Sequence, residues 1–208
     1  MKTIELFSGT ESFSKIAKEL GHETFTVDSD LQFNPDLWVD LFEWNKEFLW
    51  RKVSGADIIW MSPPCTTFSM ASGNTHWNKD RTPKTKEGVK AKKLLKLCWE
   101  IAEYCIENNK IFFIENPRAR ARWFLSWEYR NTAWYCQYGD SRAKPTDIWN
   151  NLRDWNPKEC HNGNKDCHHE PAPRGSKTGT QGIKGARDRS IIPSELFKEI
   201  FTIIGGQK

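Results

Sequence analysis

Two four-residue apolar runs, Ile58-Ile59-Trp60-Met61 and Ile111-Phe112-Phe113-Ile114, each break off abruptly into polar residues: Ser62-Pro63-Pro64-Cys65 after the first, Glu115-Asn116-Pro117 after the second. A strand covered on one face alternates apolar and polar side chains. Runs without alternation belong to strands buried on both faces, typically parallel strands flanked by helices. Between the runs, Val89, Leu94, Leu95, Leu97, Ile101, Tyr104, Cys105 and Ile106 predict a long crossover helix. Upstream, Lys2–Phe7 reads as a strand, Ser8-Gly9-Thr10 as a turn, and Phe13, Ile16, Ala17 and Leu20 as a helix face, with Ser12 as N-cap and Gly21 as terminator. Thr24–Val27 follows as a strand ending in Asp28, the layout of a nucleotide-binding βαβ unit, though with Gly9 alone where three glycines make the fingerprint. Ile191–Ile204 closes the chain as an amphipathic helix with Pro193 in its first turn. Strands alternating with helices predict a doubly wound α/β sheet with chemistry at the strands' carboxyl ends.

Both apolar runs are far shorter than the ~20 residues of a membrane span. No basic segment followed by an apolar one opens the sequence, so a soluble intracellular protein is expected. An aromatic content of 13%, with 11 Trp and 12 Phe in 208 residues, argues for a packed core rather than disorder. The net charge of +4 is unevenly spread: residues 79–96 carry eight basic side chains against Asp80 and Glu87, while residues 1–78 are net acidic. Such a block fits either a polyanion meeting one side of the molecule or a solvated lysine-rich helix face.

The six cysteines, with no export signal, read as core, catalytic or metal-binding groups rather than as disulfides. Cys98 and Cys105 fall within the helical pattern and are assigned to the core. Residues 150–190 turn rich in Gly, Pro, Asn, Lys, Arg and His, and within them lies Cys160-His161, then Cys167-His168-His169. Sulfur and imidazole in a segment with little core of its own suggest a structural Zn²⁺, with Cys160, Cys167 and His168 as first ligands and Cys136 or His169 as the fourth. The following Arg174–Gly182 stretch, with Arg174 and Lys177, reads either as a phosphate- or base-contacting loop or as an ordinary flexible one.

Cys65 stands at a strand exit stiffened by two prolines, and Glu115-Asn116 ends the other buried strand. A nucleophilic thiol and a carboxyl kept protonated by burial make a reactive pair at one sheet edge. At this point the chain resembles the S-adenosylmethionine-dependent cytosine-C5 methyltransferases, from about Thr3 to Tyr138 and again from Arg189 to Ile200. Glu5-Leu6-Phe7-Ser8-Gly9 is similar to the family's first motif. Asp28 is similar to the acid holding the ribose, and Asp40 to the acid accepting the adenine amino group. Pro64-Cys65 with Phe68-Ser69 resembles the nucleophile motif, Glu115-Asn116 the cytosine-edge motif, and Tyr138-Gly139 with Arg142 and Lys144 a degenerate Gln-x-Arg-x-Arg motif. Ser190 and the last helix resemble the motif that returns to the cofactor.

The resemblance implies a Rossmann-like methyltransferase sheet, to which the Cys/His cluster adds a small irregular, zinc-bound insert. It divides the chain into a catalytic core at 1–149, a reduced recognition or zinc-binding insert at 150–188, and a C-terminal helix at 189–208. Catalytic roles are implied for Cys65, Glu115, Asn116, Arg142 and Lys144, and cofactor contacts for Phe7, Ser8, Gly9, Thr10, Asp28, Asp40, Pro63, Pro64 and Ser190. Nucleic-acid contacts are expected from Lys84, Lys86, Lys90, Arg118, Arg174 and Lys177, residues 66–96 matching the family's mobile catalytic loop. The implied reaction is methylation of C5 of a cytosine flipped out of duplex DNA, through a Cys65 adduct at C6, by a monomer in the cytoplasm of a bacterial or phage-infected cell. Glu11 and Ser12 replace two glycines, Thr66 a Gln, Pro117 a Val and Lys144 an Arg. Only about forty residues separate Trp149 from Arg189, where the family has a large target-recognition domain. The same chemistry on RNA or a free cytosine nucleotide is one alternative. A silent nucleic-acid binder is another, and an intact Cys65 and Glu115 argue against it.

Overall fold

In a computed structural model of the chain, which describes residues 1–43, 46–171 and 185–206, seven strands form one sheet. They are β1 (Lys2–Leu6), β2 (Glu23–Asp28), β3 (Leu37–Trp38), β4 (Ile58–Met61), β5 (Ile111–Pro117), β6 (Arg130–Trp134) and β7 (Pro145–Asn150), in the spatial order β3-β2-β1-β4-β5-β7-β6. β1 to β5 run parallel, and β7 inserts antiparallel between β5 and β6. The helices are α1 (Ser12–Glu19), α2 (Lys46–Gly55), α3 (Lys86–Glu107), α4 (Ala186–Ser190) and α5 (Ser194–Gly206). No helix among the described residues is long and apolar enough to cross a membrane.

The two apolar runs are β4 and the first part of β5, and both are buried on their two faces apart from half-buried Ile111. Ile59, Met61, Phe112 and Ile114 face a core shared with α2 and α3. Ile58, Trp60 and Phe113 face a second core shared with α1 and α5. The expected doubly wound α/β sheet is thus present. Cys98 and Cys105 lie fully buried on α3, as the helical spacing predicts. On the opposite face Phe13 stacks on Trp60 at 5.5 Å between centroids and meets Phe201 at 5.4 Å, which ties α5 back onto the sheet. α3 begins where Thr85 Oγ1 accepts the Gly88 N–H at 3.1 Å, satisfying one free donor of its first turn.

Two expectations about helix ends change. Ser12 is the first helical residue of α1 rather than its cap; Glu11 takes the cap position in a left-handed conformation without capping through its side chain. Glu5, buried on β1, caps instead, its carboxyl accepting N–H from Ser14 at 2.9 Å and Phe13 at 3.4 Å. Pro193 precedes α5, which starts at Ser194 and is separated from the short turn α4. Strands β6 and β7 carry no apolar run, because Thr146, Asp147 and Asn150 of β7 are buried polar residues. Asp147, with no exposed surface, accepts from Thr132 Oγ1 at 2.8 Å and from the Arg122 guanidinium.

Burial raises the Glu5 carboxyl from 4.5 to about 7, against the opposing pull of its helix-cap bonds. A folded-state value above the unfolded one means that stability falls as pH rises from about 4.5 to about 7, where the unfolded chain gives up its proton first. Glu5→Gln keeps an acceptor for Ser14 and removes the charge. Between pH 5 and pH 8 wild type should lose stability relative to this variant, on the order of 3 kcal/mol at the limit. Urea denaturation at both pH values checks this; parallel losses in the two proteins would show that folding does not raise the proton affinity of Glu5.

Candidate active site

The parallel register Ile58↔Ile111 to Met61↔Ile114 brings β4 and β5 to the same edge, so the segment Ser62–Cys65 emerges beside Glu115 and Asn116. Asn116, with no exposed surface, donates from Nδ2 to the Pro63 carbonyl at 3.0 Å and so ties the proline segment to β5. Cys65 then opens a turn, its carbonyl accepting N–H from Phe68 at 3.0 Å and Ser69 at 2.8 Å. Phe68 and Trp77 are buried, stacked at 5.4 Å, and Trp77 Nε1 donates to the Thr67 carbonyl at 2.7 Å. Arg120 completes the brace: its N–H reaches Phe68 O at 3.1 Å and its Nη1 reaches Ser69 O at 2.7 Å.

Glu115 is 8% exposed and receives the Tyr135 O–H on Oε1 at 3.1 Å. Burial pushes its carboxyl up, while Lys144 and the Tyr135 bond pull it down. Cys65 is exposed at the mouth of the crevice, yet the walls around it desolvate the thiol and push it up; Glu115 adds to that push and Lys144 opposes it. Lys144 sits 4.6 Å over the Tyr135 ring and donates to Arg189 O at 2.9 Å; burial lowers its ammonium and Glu115 raises it. Cys65, Glu115 and Lys144 therefore form one electrostatic cluster. Arg142 stands beside it, its charge lowering the proton affinity of Lys144. Its buried guanidinium is held by Asp140 and donates to the carbonyls of Arg189 at 3.2 Å and Ile191 at 3.3 Å, so it braces the chain leading into α5. The strong pairing with Asp140, two residues away, engages the guanidinium of this expected catalytic arginine.

At the other end of the edge, a pocket is lined by Gly9, Thr10, Glu11, Lys15, Phe33, Asn34 and Arg187. Phe7 and Gly9 both take positive φ, and the Gly9 N–H donates to Asp28 Oδ2 at 2.8 Å. Pro63 and Pro64 lie at the β4 exit rather than on this pocket. Asp40 is paired with Lys90 of α3, so one expected cofactor acid and one expected phosphate contact hold each other. Ser190 is exposed and bonds Arg187 O at 2.6 Å within α4; the turn presents Arg187, not Ser190, to the pocket. Lys84 and Lys86 are exposed at the start of α3, and exposed Arg118 stacks 5.1 Å from the Trp134 ring centroid. Lys92 and Lys93 lie over Phe124 and Phe42, so part of the basic block packs against the molecule itself. Arg174 and Lys177 lie outside the described residues.

Away from this edge, Cys136, Cys160, Cys167 and His169 converge, with one donor atom from each lying within 4.8 Å of all the others. His168 does not join them; its Nε2 lies 3.1 Å from the Asp140 carbonyl. The adjacent histidine takes the place expected for it, because neighbours in an extended segment point to opposite sides.

The chain is 32% identical, over 223 aligned positions, to a probable DNA (cytosine-5)-methyltransferase of Frog virus 3 (isolate Goorha), an alignment covering 98% of this chain and 100% of the relative. The chain belongs to the DNA (cytosine-5)-methyltransferase family. No family model matches it. Among solved structures, this methyltransferase resembles Entamoeba histolytica methyltransferase EhMeth, with TM-score 0.51 and 16% identity, over 77% of this chain and 57% of that one, which supports the fold. The likeness to a Spodoptera frugiperda DNMT2 mutant, TM-score 0.44 and 16% identity over 76% and 53% of the two chains, is too weak to argue from.

Family membership makes the chain an enzyme and implies S-adenosylmethionine as cofactor. The residues after β1 fit it. Ser8 Oγ is buried with no partner among the described residues, nothing lies within 4 Å of a Cβ built on Gly9, and the Asp28 carboxylate stands beside the Gly9 amide. Tyr135 and Arg120 are contacts of the site that the motifs do not reveal, since each acts through a partner distant in sequence.

The cluster's electrostatics can be read directly by alkylation. Glu115→Gln removes a push that keeps Cys65 protonated, and Lys144→Met removes an opposing pull. At pH 8 iodoacetamide should modify Cys65 a few-fold faster in the first variant and a few-fold slower in the second, a pKa unit being worth about tenfold in thiolate. Peptide-resolved mass spectrometry separates Cys65 from the other thiols; equal rates in all three proteins would show that the groups do not sense one another.

Proposed function

We propose that this methyltransferase transfers a methyl group from S-adenosylmethionine to C5 of cytosine in DNA, through a covalent Cys65 adduct at C6 of an unstacked base. The observation that carries this reading is the pairing of an exposed thiol and a buried carboxyl at the ends of adjacent parallel strands, joined by the Asn116–Pro63 bond. Cytosine C5 is a weak nucleophile until a group adds at C6, and a thiolate is the side chain best suited to add and leave again.

The proton inventory supports the same chemistry. While Glu115 is ionised it holds the Cys65 proton in place; once Glu115 carries a proton its push disappears, and the charge of Lys144 favours the thiolate. One proton shared in this way produces a nucleophile and an acid together. Cys65 Sγ then bonds to C6 while Glu115 donates to N3, and the C5–C6 π electrons move to C5. When bound, the cofactor supplies an electrophilic methyl group to that carbon. Loss of the C5 proton to a base re-forms the double bond and breaks the S–C6 bond, returning Cys65, and the N3 proton goes back to Glu115. Asn116 keeps Cys65 and Glu115 at a set spacing, and Tyr135 holds the carboxyl in place.

A base inside a duplex lies out of reach of Cys65, so the target nucleotide is flipped out. DNA as the substrate is supported by the name of the viral relative and by the exposed Lys84, Lys86 and Arg118. In this reading residues 1–149 are the catalytic core, 150–188 a reduced recognition insert, and 189–208 the segment that closes the core. The enzyme acts as a monomer in the cytoplasm of its host cell, the source of the relative pointing to an infected one. The four converging donors of the thiol cluster suit a structural metal, and no bond change in the reaction calls on one there.

A pool of mixed-sequence duplexes containing 5-fluorocytosine tests the covalent step, because fluorine at C5 cannot leave as a proton does. With S-adenosylmethionine, wild type should form a denaturation-resistant adduct, Cys65→Ser none, and Glu115→Gln at least tenfold less, in line with loss of general acid assistance. Cofactor binding measured in parallel should persist in all three. No adduct from a cofactor-binding wild type would overturn the mechanism.

A further inference from the structure

The described part of the 150–188 insert has almost no core. From Arg153 to Glu170 only Trp155 and His169 are buried, so apolar burial does not account for its order. What gathers this segment is a set of donor atoms. Cys160, Cys167 and His169 converge on Cys136, which belongs to the turn Tyr135–Tyr138 directly after β6. None of the thiols is in a disulfide. Cys160 Sγ stands 3.8 Å from His169 Nδ1, and all four donor atoms lie within 4.8 Å of one another. Bonds of about 2.3 Å to sulfur and 2.0 Å to nitrogen set tetrahedral donors roughly 3.5–3.8 Å apart, so a small contraction brings all four onto one ion.

The surroundings suit thiolates. Asn164 Nδ2 points at Cys160 Sγ at 3.5 Å, and Gln137 Nε2 lies 3.4 Å from Cys167 Sγ and 3.8 Å from Cys136 Sγ. Side-chain amides aimed at sulfur stabilise negative charge there, as outer-sphere donors do at thiolate metal sites. Three sulfurs and one imidazole in a closed, four-coordinate set select zinc over the oxygen-seeking cations, and leave no open position for chemistry on the ion.

We propose that Cys136, Cys160, Cys167 and His169 bind one structural Zn²⁺, and that this ion fixes the segment 135–144 against the catalytic carboxyl. Cys136 is the neighbour of Tyr135, whose O–H reaches Glu115. The metal-held insert touches the other end of the same segment: the Glu170 N–H donates to Ser141 O at 2.8 Å, and His168 Nε2 lies 3.1 Å from Asp140 O. Arg142 follows directly on the second anchor, and two residues further stands Lys144, the cation of the Cys65–Glu115 cluster. The ion therefore joins the insert to the two residues, Tyr135 and Lys144, that set the state of Glu115. This second role rests on the proposed part of Glu115 in methyl transfer; the binding of zinc does not.

The full-length protein, purified without chelator, should contain close to one zinc per chain by elemental analysis. Cys160→Ser and Cys167→Ser should fall below about a fifth of that, and Cys65→Ser should keep it. Because a ligand variant can fail to fold, wild type loaded with Co²⁺ in place of zinc gives an independent reading: tetrahedral three-thiolate ligation shows intense visible d–d bands and near-ultraviolet sulfur-to-metal charge transfer. Wild type with less than about a fifth of a metal ion and no such bands on cobalt loading would overturn the site. Zinc removed from the folded wild type should lower the yield of 5-fluorocytosine adduct at least tenfold while S-adenosylmethionine binding persists, and re-addition should restore it. Full adduct yield without zinc would overturn the positioning role alone. Stoichiometric zinc in a protein that never forms an adduct would leave the metal site standing and count against the methyl-transfer reading.

Discussion

The parallel pairing of β4 with β5 is the constraint on which the site depends. Each strand is too short to hold a side chain in place by itself, yet their register leaves the nucleophile loop and the acid at one edge, and the Asn116–Pro63 bond keeps the two exits from drifting apart. Burial on both faces makes that pairing rigid, since Ile59 and Met61 are locked into one core and Ile58 and Trp60 into the other. Cys65 can stand exposed at the mouth of the crevice because its neighbours on the chain do not move with it: Phe68 and Trp77 anchor the following loop in the core, and Arg120 grips its backbone.

Much of this was legible from the residues alone, for a physical reason. Apolar runs that stop at polar residues mark buried strands and their functional ends together, so β4, β5, Cys65, Glu115 and Asn116 follow from one pattern. The crossover helix follows from its spacing, and Cys98 and Cys105 take their core positions with it. β7 was not legible in the same way. Its buried Thr146, Asp147 and Asn150 look like a loop in sequence; in the strand Arg122 and Thr132 satisfy Asp147, Asn131 pairs with Asn150, and Thr146 donates to the Lys144 carbonyl. The pairing of Lys90 with Asp40 spans fifty positions, and the turning of Arg142 toward Asp140 depends on the fold around it. Spacing also cannot say which of two adjacent histidines points inward, and the structure chooses His169.

The site is economical in its use of charge. Glu115, Cys65 and Lys144 each have their proton affinity displaced from the ordinary value by burial and by one another, so the state of any one depends on the other two. Lysine at position 144, where the resemblance leads one to expect arginine, gives that cluster a cation whose charge responds to its surroundings. The described segment from Arg153 to Glu170 supplies little apolar surface of its own; it meets the turn that leads to Lys144 at Asp140 and Ser141.

The central claim, that Cys65 is the nucleophile of a cytosine-C5 methyl transfer to DNA, is tested most directly in cells that lack cytosine methylation. Wild type and Cys65→Ser would be expressed side by side, their DNA and RNA digested separately to nucleosides, and the nucleosides weighed. The account predicts 5-methyldeoxycytidine in the DNA of cells carrying wild type and none with Cys65→Ser. Methylated cytosine confined to RNA, or methylation of DNA that survives the loss of Cys65, would contradict it.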